Sequence, residues 1–213
     1  MLTLFDYLPS QNAWKVRQLL AHLQIPHVTE IVSIFEGHGQ DAGYLAVNPW
    51  GAVPAIRLED GRVLSESNAI LWYLSGDTTY RPSDAFTAAK ALQWLSFEAY
   101  YVQTSIGSLR YLTLTDKLHS RPAALVQSKR AICERALSVL DRELAGRTFI
   151  VGDSYSIADI SLFAYAHLAA DAGISTNHLP AFETWVRRVR AQEGFLAKMY
   201  PYSIDPHALA ELP

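Results

Sequence analysis

The first eighty residues alternate between short apolar runs and stretches whose apolar residues recur with helical spacing. Four strands are predicted, at residues 2–5, 28–34, 53–58 and 63–64. Between the first two, leucine and valine side chains from Val16 to Leu23 lie on one face of a helix. Asp60-Gly61 predicts a hairpin turn between the last two strands, and a second helix begins near Glu66. The pattern predicts a βαβ unit followed by a ββα unit, in one α/β domain.

The pattern changes after a polar stretch at 77–83, which contains Pro82 and is typical of a linker. Beyond it, no convincing strand pattern occurs, and apolar residues recur with helical spacing in long segments. These helical segments are predicted at residues 85–114, 122–144, 157–170 and 180–191. We therefore predict two domains, an α/β domain over residues 1–77 and an all-helical domain over residues 84–213.

Composition narrows the class of protein. Of 213 residues, 50% are hydrophobic and 18% are charged, which excludes a disordered chain. The net charge of −3 argues against a nucleic-acid-binding surface of Lys and Arg. A single cysteine, Cys133, excludes an internal disulfide framework and a cysteine-based metal cluster. Residues 1–9 lack a basic export signal, and no apolar run reaches membrane-spanning length. We therefore expect a cytoplasmic protein with no metal and no nucleic-acid or membrane partner.

Val53-Pro54 is the first candidate for binding chemistry. A proline at the entrance of a strand cannot donate to the ladder, and an X-Pro bond can be cis. A cis bond here would turn the backbone N–H and C=O of Val53 outward, where an extended peptide could pair with them. The alternative is an ordinary proline on an edge strand.

Three further motifs lie at predicted helix starts. Glu66-Ser67-Asn68 and Ser10-Gln11-Asn12 combine short polar side chains with free helix N–H groups, which favour an anion. The alternative for both is a simple N-cap. Ser156-Ile-Ala-Asp159 has capping-box spacing, and we assign Asp159 a structural role in the helical domain. The loop from Gly37 to Gly43 does not match the spacing of a dinucleotide-binding motif.

Taken together, these motifs resemble the cytosolic glutathione transferases over residues 1–200. The segments that carry the resemblance are Tyr7-Leu-Pro-Ser10-Gln-Asn12, Val53-Pro54-Ala-Ile, Glu66-Ser67-Asn68-Ala-Ile-Leu-Trp-Tyr-Leu74 and Ser156-Ile-Ala-Asp159. The resemblance implies a thioredoxin-like N-terminal domain, a helical C-terminal domain, a homodimer, and glutathione as co-substrate.

The resemblance also implies residue roles. The backbone of Val53, next to cis-Pro54, would pair with the cysteinyl unit of glutathione. Glu66 and Ser67 would hold the γ-glutamyl end, and Gln40 is a candidate for the glycyl end. The sulfur would face Ser10 assisted by Asn12, with Tyr7 as the alternative. Candidates for an electrophile pocket in the helical domain are Tyr100, Tyr101 and Tyr111.

The reaction remains open between several alternatives at this point. A hydroxyl or amide N–H donated to the sulfur lowers the thiol pKa from about 8.5, so that the thiolate can attack a bound electrophile. The Leu-Pro-Ser-x-Asn string resembles bacterial members with a Ser/Thr-x-Asn pair, some of which reduce disulfides using glutathione, so the second alternative is a glutathione-dependent disulfide reductase or peroxidase. The segment from Ser10 to Arg17 also resembles maleylacetoacetate isomerases, although Asn12 replaces the cysteine expected there. A non-catalytic binding module on the same fold is the fourth alternative.

Overall fold

The computed structural model describes residues 1–210, which form two compact units. One unit is Met1–Gly76 together with the segment that begins at Gly194, and the other is Asp77–Glu193. The sequence prediction placed that last segment in the helical domain. It packs on the first unit because the indole Nε1 of Trp14 donates to the carbonyl of Leu196 at 3.1 Å. The amide of Gln18 bonds to Gly194 and Leu196 as well, at 3.0 and 2.8 Å.

The first unit is a four-stranded mixed sheet with helices, as predicted. Its elements in chain order are β1 (Leu2–Asp6), α1 (Gln11–His22), β2 (His27–Ile31), α2 (Ala42–Leu45), β3 (Ala55–Arg57), β4 (Val63–Ser65) and α3 (Ser67–Leu74). The strand order is β2-β1-β3-β4, with β1 parallel to β2 and β3 antiparallel to β1 and β4. Leu4, Val16, Leu20, Ile56 and Ile70 form a fully buried core. This is the thioredoxin-like arrangement that the sequence predicts.

Two strands are shorter than predicted, and one short helix was missed. The strand predicted to reach residue 34 ends at Ile31, and 3₁₀ turns at Ile34–Glu36 and His38–Gln40 follow it. The chain then forms α2, a single turn whose four residues are too few to produce a helical pattern.

The second unit is helical, as predicted, with only an isolated bridge between Phe149 and Gly152. Its helices are α4 (Ala85–Phe97), α5 (Ser108–Leu114), α6 (Ala123–Leu144), α7 (Ile157–Ala166) and α8 (Pro180–Arg190). Between α4 and α5, Glu98–Gly107 is wound as a π-helix. No helix among residues 1–210 is both long enough and apolar enough to span a membrane.

Asp159 is the polar centre of the second unit. The capping box with Ser156 is confirmed, since Asp159 accepts from the Ser156 N–H at 3.1 Å and its hydroxyl at 3.0 Å. Asp159 also accepts from the N–H of Ile150 at 3.0 Å and from the indole of Trp185 at 2.8 Å. This one carboxylate therefore joins α7 to α8 and to the preceding turn.

Candidate functional site

The first part of the candidate site is a polar cluster where α1 and α3 begin. Asn12 Oδ1 accepts from the ammonium of Lys15 at 2.9 Å and from the hydroxyl of Ser67 at 3.3 Å. The Lys15 ammonium is also 3.4 Å from the Ser67 hydroxyl oxygen. Lys15 is fully buried and Ser67 is nearly so. The cluster therefore places a positive charge and a hydroxyl beside the N-terminus of α3, an arrangement that suits an anion.

Lys15 was missed by the sequence analysis. A lysine is rarely buried, so its residue type alone predicts an exposed position. The available signal was spacing, because residues three apart on a helix share a face and Lys15 follows Asn12 by three. Asn12 was expected to assist Ser10 at the sulfur. Its carbonyl oxygen accepts from Ser67, which the resemblance assigns to the γ-glutamyl end, and its role at the sulfur stays a prediction.

Glu66 connects β4 to this cluster through an unusual backbone conformation. Its φ is 69° and its ψ is 111°, in a region that residues other than glycine rarely occupy. Such a conformation costs on the order of 1–3 kcal/mol and is concentrated at functional sites. The Glu66 side chain is exposed. Glu66 and Ser67 thus stand side by side at the start of α3, as the sequence predicts.

Val53 provides a backbone edge. The Val53-Pro54 peptide bond is cis, as predicted. The preceding carbonyl, of Ala52, accepts from the hydroxyl of Tyr44 at 2.6 Å and from the amide of Asn48 at 2.7 Å. Within residues 1–210, no hydrogen bond involves the N–H or C=O of Val53. Its backbone groups are therefore available to pair with an extended peptide.

Burial of the Tyr44 hydroxyl raises its pKa to about 12, an effect that the hydrogen bond with Asn48 partly opposes. Tyr44 therefore stays protonated at neutral pH and can keep donating to the Ala52 carbonyl.

The loop after β1 is held by a buried ion pair. Asp6 is fully buried and accepts two hydrogen bonds from the Arg17 guanidinium, at 2.9 and 2.8 Å. The same guanidinium donates to the carbonyl of Leu8 at 3.0 Å. Arg17 thus binds Asp6 through Nη1 and the Leu8 carbonyl through Nη2, so one guanidinium fixes both. It anchors the loop to α1 immediately before Ser10.

Ser10 and Tyr7 are placed differently. Ser10 is the N-cap of α1, and its hydroxyl oxygen accepts from the Ala13 N–H at 3.2 Å. A hydroxyl that accepts a bond still carries a proton to donate. Tyr7 is buried, and its ring packs on Phe35 with centroids 5.7 Å apart. Position and exposure therefore favour Ser10 over Tyr7 as a group that faces a ligand.

Gln40 lies beside a cavity of about 510 Å³ near Val53. Gly39 and Gly51 approach so closely here that a Cβ on Gly51 would lie 2.5 Å from the Gly39 carbonyl oxygen. The same added Cβ would lie 2.6 Å from the Gln40 side-chain nitrogen. The cavity is lined by Ile34, Gly39, Gln40, Pro49, Trp50, Gly51 and Ala52.

The aromatic candidates of the helical unit occupy two places. Tyr100 and Tyr101 are exposed on the π-helical segment, with ring centroids 5.1 Å apart. Tyr111 lies on α5, where its hydroxyl accepts from Lys117 at 2.6 Å. Cys133 is fully buried in α6, and burial raises the pKa of its thiol to about 12. It is therefore a poor nucleophile and serves as a core residue. No cluster suited to a metal ion occurs among residues 1–210.

Comparisons with known proteins agree with this description. Residues 9–76 match the family model described as glutathione S-transferase, N-terminal domain, and residues 86–193 match the C-terminal domain model. A curated relative, glutathione S-transferase GstB of Escherichia coli K12, is 25% identical over 193 residues. The match covers 89% of this chain and 93% of GstB.

Two solved structures extend the likeness to three dimensions. A glutathione S-transferase from Pseudomonas fluorescens Pf-5 is 32% identical, with a TM-score of 0.88 over 92% of this chain and 97% of that one. A glutathione transferase from Burkholderia graminis, crystallised with two glutathione molecules per subunit, is 28% identical, with a TM-score of 0.81. That match covers 91% of this chain and 85% of the other. With both family models matched over most of its length, this chain belongs to the glutathione S-transferase family.

Proposed function

We propose that the protein binds glutathione on its N-terminal unit and activates the thiol for attack on small electrophiles. The observation that carries the proposal is the Asn12–Lys15–Ser67 cluster at the start of α3. A carboxylate of the γ-glutamyl end would meet the Ser67 hydroxyl and the helix N–H groups there. The Burkholderia graminis relative, which binds glutathione, supports the choice of ligand.

The remaining contacts follow along the chain. The backbone of Val53 would pair with the cysteinyl unit, and Gln40 would meet the glycyl end at the cavity. The sulfur would then lie toward Ser10 at the start of α1, where a hydroxyl proton and helix N–H groups favour the thiolate. The thiol proton leaves to solvent, the thiolate forms a bond to an electrophilic carbon, and the leaving group departs with its electron pair.

Replacing Ser67 with alanine tests the binding site. Ser67→Ala should weaken glutathione binding by about 1–3 kcal/mol, the loss expected for one charge-assisted hydrogen bond. Isothermal titration calorimetry measures this change. Ser138→Ala is the matched control, because Ser138 bonds only within α6 through the Glu134 carbonyl. Absence of glutathione binding by the wild-type protein would refute the proposal.

Activity assays on the same purified protein distinguish the competing reactions. The assays are conjugation of a chlorodinitrobenzene, reduction of a small dialkyl disulfide, reduction of an organic peroxide and isomerisation of maleylacetoacetate. They test the three catalytic alternatives, and the two reductions together test the disulfide reductase or peroxidase. Glutathione binding without turnover in any of them would favour the non-catalytic binding module. We place conjugation first because it needs only the activated glutathione thiolate and an electrophilic carbon.

We also propose that the protein is a cytoplasmic homodimer. Large aromatic side chains of the second unit are exposed, including Phe86 at 72% and Tyr100 at 74%, and covering such apolar surface with a second copy would favour association. Static light scattering at micromolar concentration should give about twice the chain mass of 23.7 kDa. A mass equal to one chain would contradict this proposal.

A further inference from the structure

The cavity beside Gln40 has an uncharged lining. Its seven residues include neither lysine nor arginine, and Gln40 is the only one with a hydrogen-bonding amide side chain. His38 and Arg57, the basic residues close in sequence or space, line a different cavity together with Tyr44. His38 also lies 3.9 Å from the carboxylate of Glu36. The ring of His207 lies 4.0 Å from the same carboxylate. None of His38, Arg57 and His207 is among the residues that line the cavity beside Gln40.

Most backbone donors of the same lining are already used. The N–H of Gln40 donates to the Gly37 carbonyl at 2.8 Å, and the N–H of Gly51 donates to the Asn48 carbonyl at 2.9 Å. The N–H of Trp50 donates to the side-chain oxygen of Asn48 at 3.2 Å. A ligand in this cavity would therefore meet the Gln40 amide, the Trp50 indole N–H and apolar surface, with no charged side chain in the lining to compensate a negative charge.

From this we infer that the site accepts glutathione whose glycyl carboxylate is neutralised as an ester or amide, nearly as well as glutathione itself. The inference rests on the proposed function, which places the glycyl end at Gln40. An amide N–H donates to the carbonyl oxygen of an ester as well as to a carboxylate, with a modest preference for the charged acceptor, whereas a cation distinguishes the two by its full charge. The exposed indole of Trp50 at the cavity also offers an apolar face to the added group.

The experiment compares the dissociation constants of glutathione and its glycyl monoethyl ester by calorimetry. For the wild-type protein we expect the ester to bind within about fivefold of glutathione, the difference between a neutral and a charged acceptor. Gln40→Lys should favour the carboxylate and raise the ratio of the dissociation constant of the ester to that of glutathione above about tenfold. Gln40→Glu should lower the same ratio. Gln127→Lys, on the exposed face of α6, adds the same charge and should leave the ratio unchanged.

The outcomes separate the two proposals. If glutathione binds and the wild-type protein binds the ester more than about fivefold more weakly, the uncharged glycyl subsite is wrong while the proposed function stands. If the wild-type ratio is small but neither Gln40 variant moves it, the carboxylate lies elsewhere and the inference is overturned. If neither ligand binds, the proposed function fails and the inference fails with it.

Discussion

Replacing Asp159 with alanine is expected to lower the free energy of unfolding at neutral pH by about 3–5 kcal/mol. The side chain is fully buried and accepts from the N–H groups of Ser156 and Ile150 and from the indole of Trp185. Alanine would leave the Ile150 and Trp185 donors buried without an acceptor, at a cost of about 1–3 kcal/mol each. A capping box alone would be worth about 1 kcal/mol.

Denaturant unfolding followed by tryptophan fluorescence measures this loss. Asp84→Ala is the matched control, because Asp84 also caps a helix, accepting from the N–H groups of Phe86 and Thr87, but is exposed. We expect a clearly smaller loss for that variant. The glutathione affinity of folded Asp159→Ala should stay near the wild-type value, since Asp159 lies in the second unit. Equal losses for the two variants would show that burial of Asp159 contributes nothing.

The loss of unfolding free energy in Asp159→Ala should also depend on pH. Burial raises the pKa of Asp159 from 3.8 to about 6, against the opposing effect of its hydrogen bonds. A folded-state pKa above the unfolded value means that the stabilising contribution is complete below about pH 4 and declines as the pH rises through 6. The difference in the free energy of unfolding between wild type and Asp159→Ala should therefore narrow by up to about 3 kcal/mol as the pH rises from about 4 to about 6.

Asp84 should behave differently in the same titration. Hydrogen bonds from Thr87, through its side chain and N–H, lower the pKa of Asp84. Its contribution is therefore complete above its unfolded-state pKa and is lost only as the pH falls below it. Between about pH 4.5 and 7, the difference in unfolding free energy between wild type and Asp84→Ala should therefore stay constant. If the stability difference between wild type and Asp159→Ala increased with pH, the hydrogen bonds of Asp159 would lower its pKa by more than burial raises it.

The fold could be predicted because apolar spacing determines which faces are buried. Leu4 and Ile56 lie in predicted strands, Val16 and Leu20 in the predicted helix, and all four are core residues. The position of the last segment could not be predicted in this way. Its contact with the first unit joins Trp14 and Gln18 to the backbone of Gly194 and Leu196, more than 170 residues away, through three hydrogen bonds. A local pattern carries no information on such a contact.

The motifs of the candidate site could be predicted from the sequence, but the hydrogen bonds that join its residues could not. Glu66, Ser67 and Val53-Pro54 are recognisable because each combines a residue type with a position at the start of an element. Lys15 was missed since a buried lysine contradicts the usual preference of its residue type. The carbonyl oxygen of Asn12 faces Ser67, a partner 55 residues away that spacing alone could not identify.

The largest effect on activity is expected from Ser10→Ala. If the Ser10 hydroxyl donates to the bound thiolate, its removal costs about 1.5–3 kcal/mol, which raises the thiol pKa by roughly 1–2 units toward 8.5. Conjugation at neutral pH should then slow by about 8–25-fold, which is the fall in the thiolate fraction at pH 7. Ser10→Thr keeps both the hydroxyl and the N-cap of α1, so it should restore most of the rate and separates chemistry from helix stability.

Thiolate absorbance of bound glutathione, recorded against pH, decides between Ser10 and its two neighbours. Tyr7 is buried with its ring on Phe35, so Tyr7→Phe should shift the thiol pKa far less than Ser10→Ala. Asn12 is bonded to Lys15 and Ser67, so Asn12→Ala should mainly weaken glutathione binding. A large upward shift in Tyr7→Phe with none in Ser10→Ala would transfer the sulfur contact to Tyr7. The Ser10 hydroxyl would then act only as the cap that it already provides through Ala13.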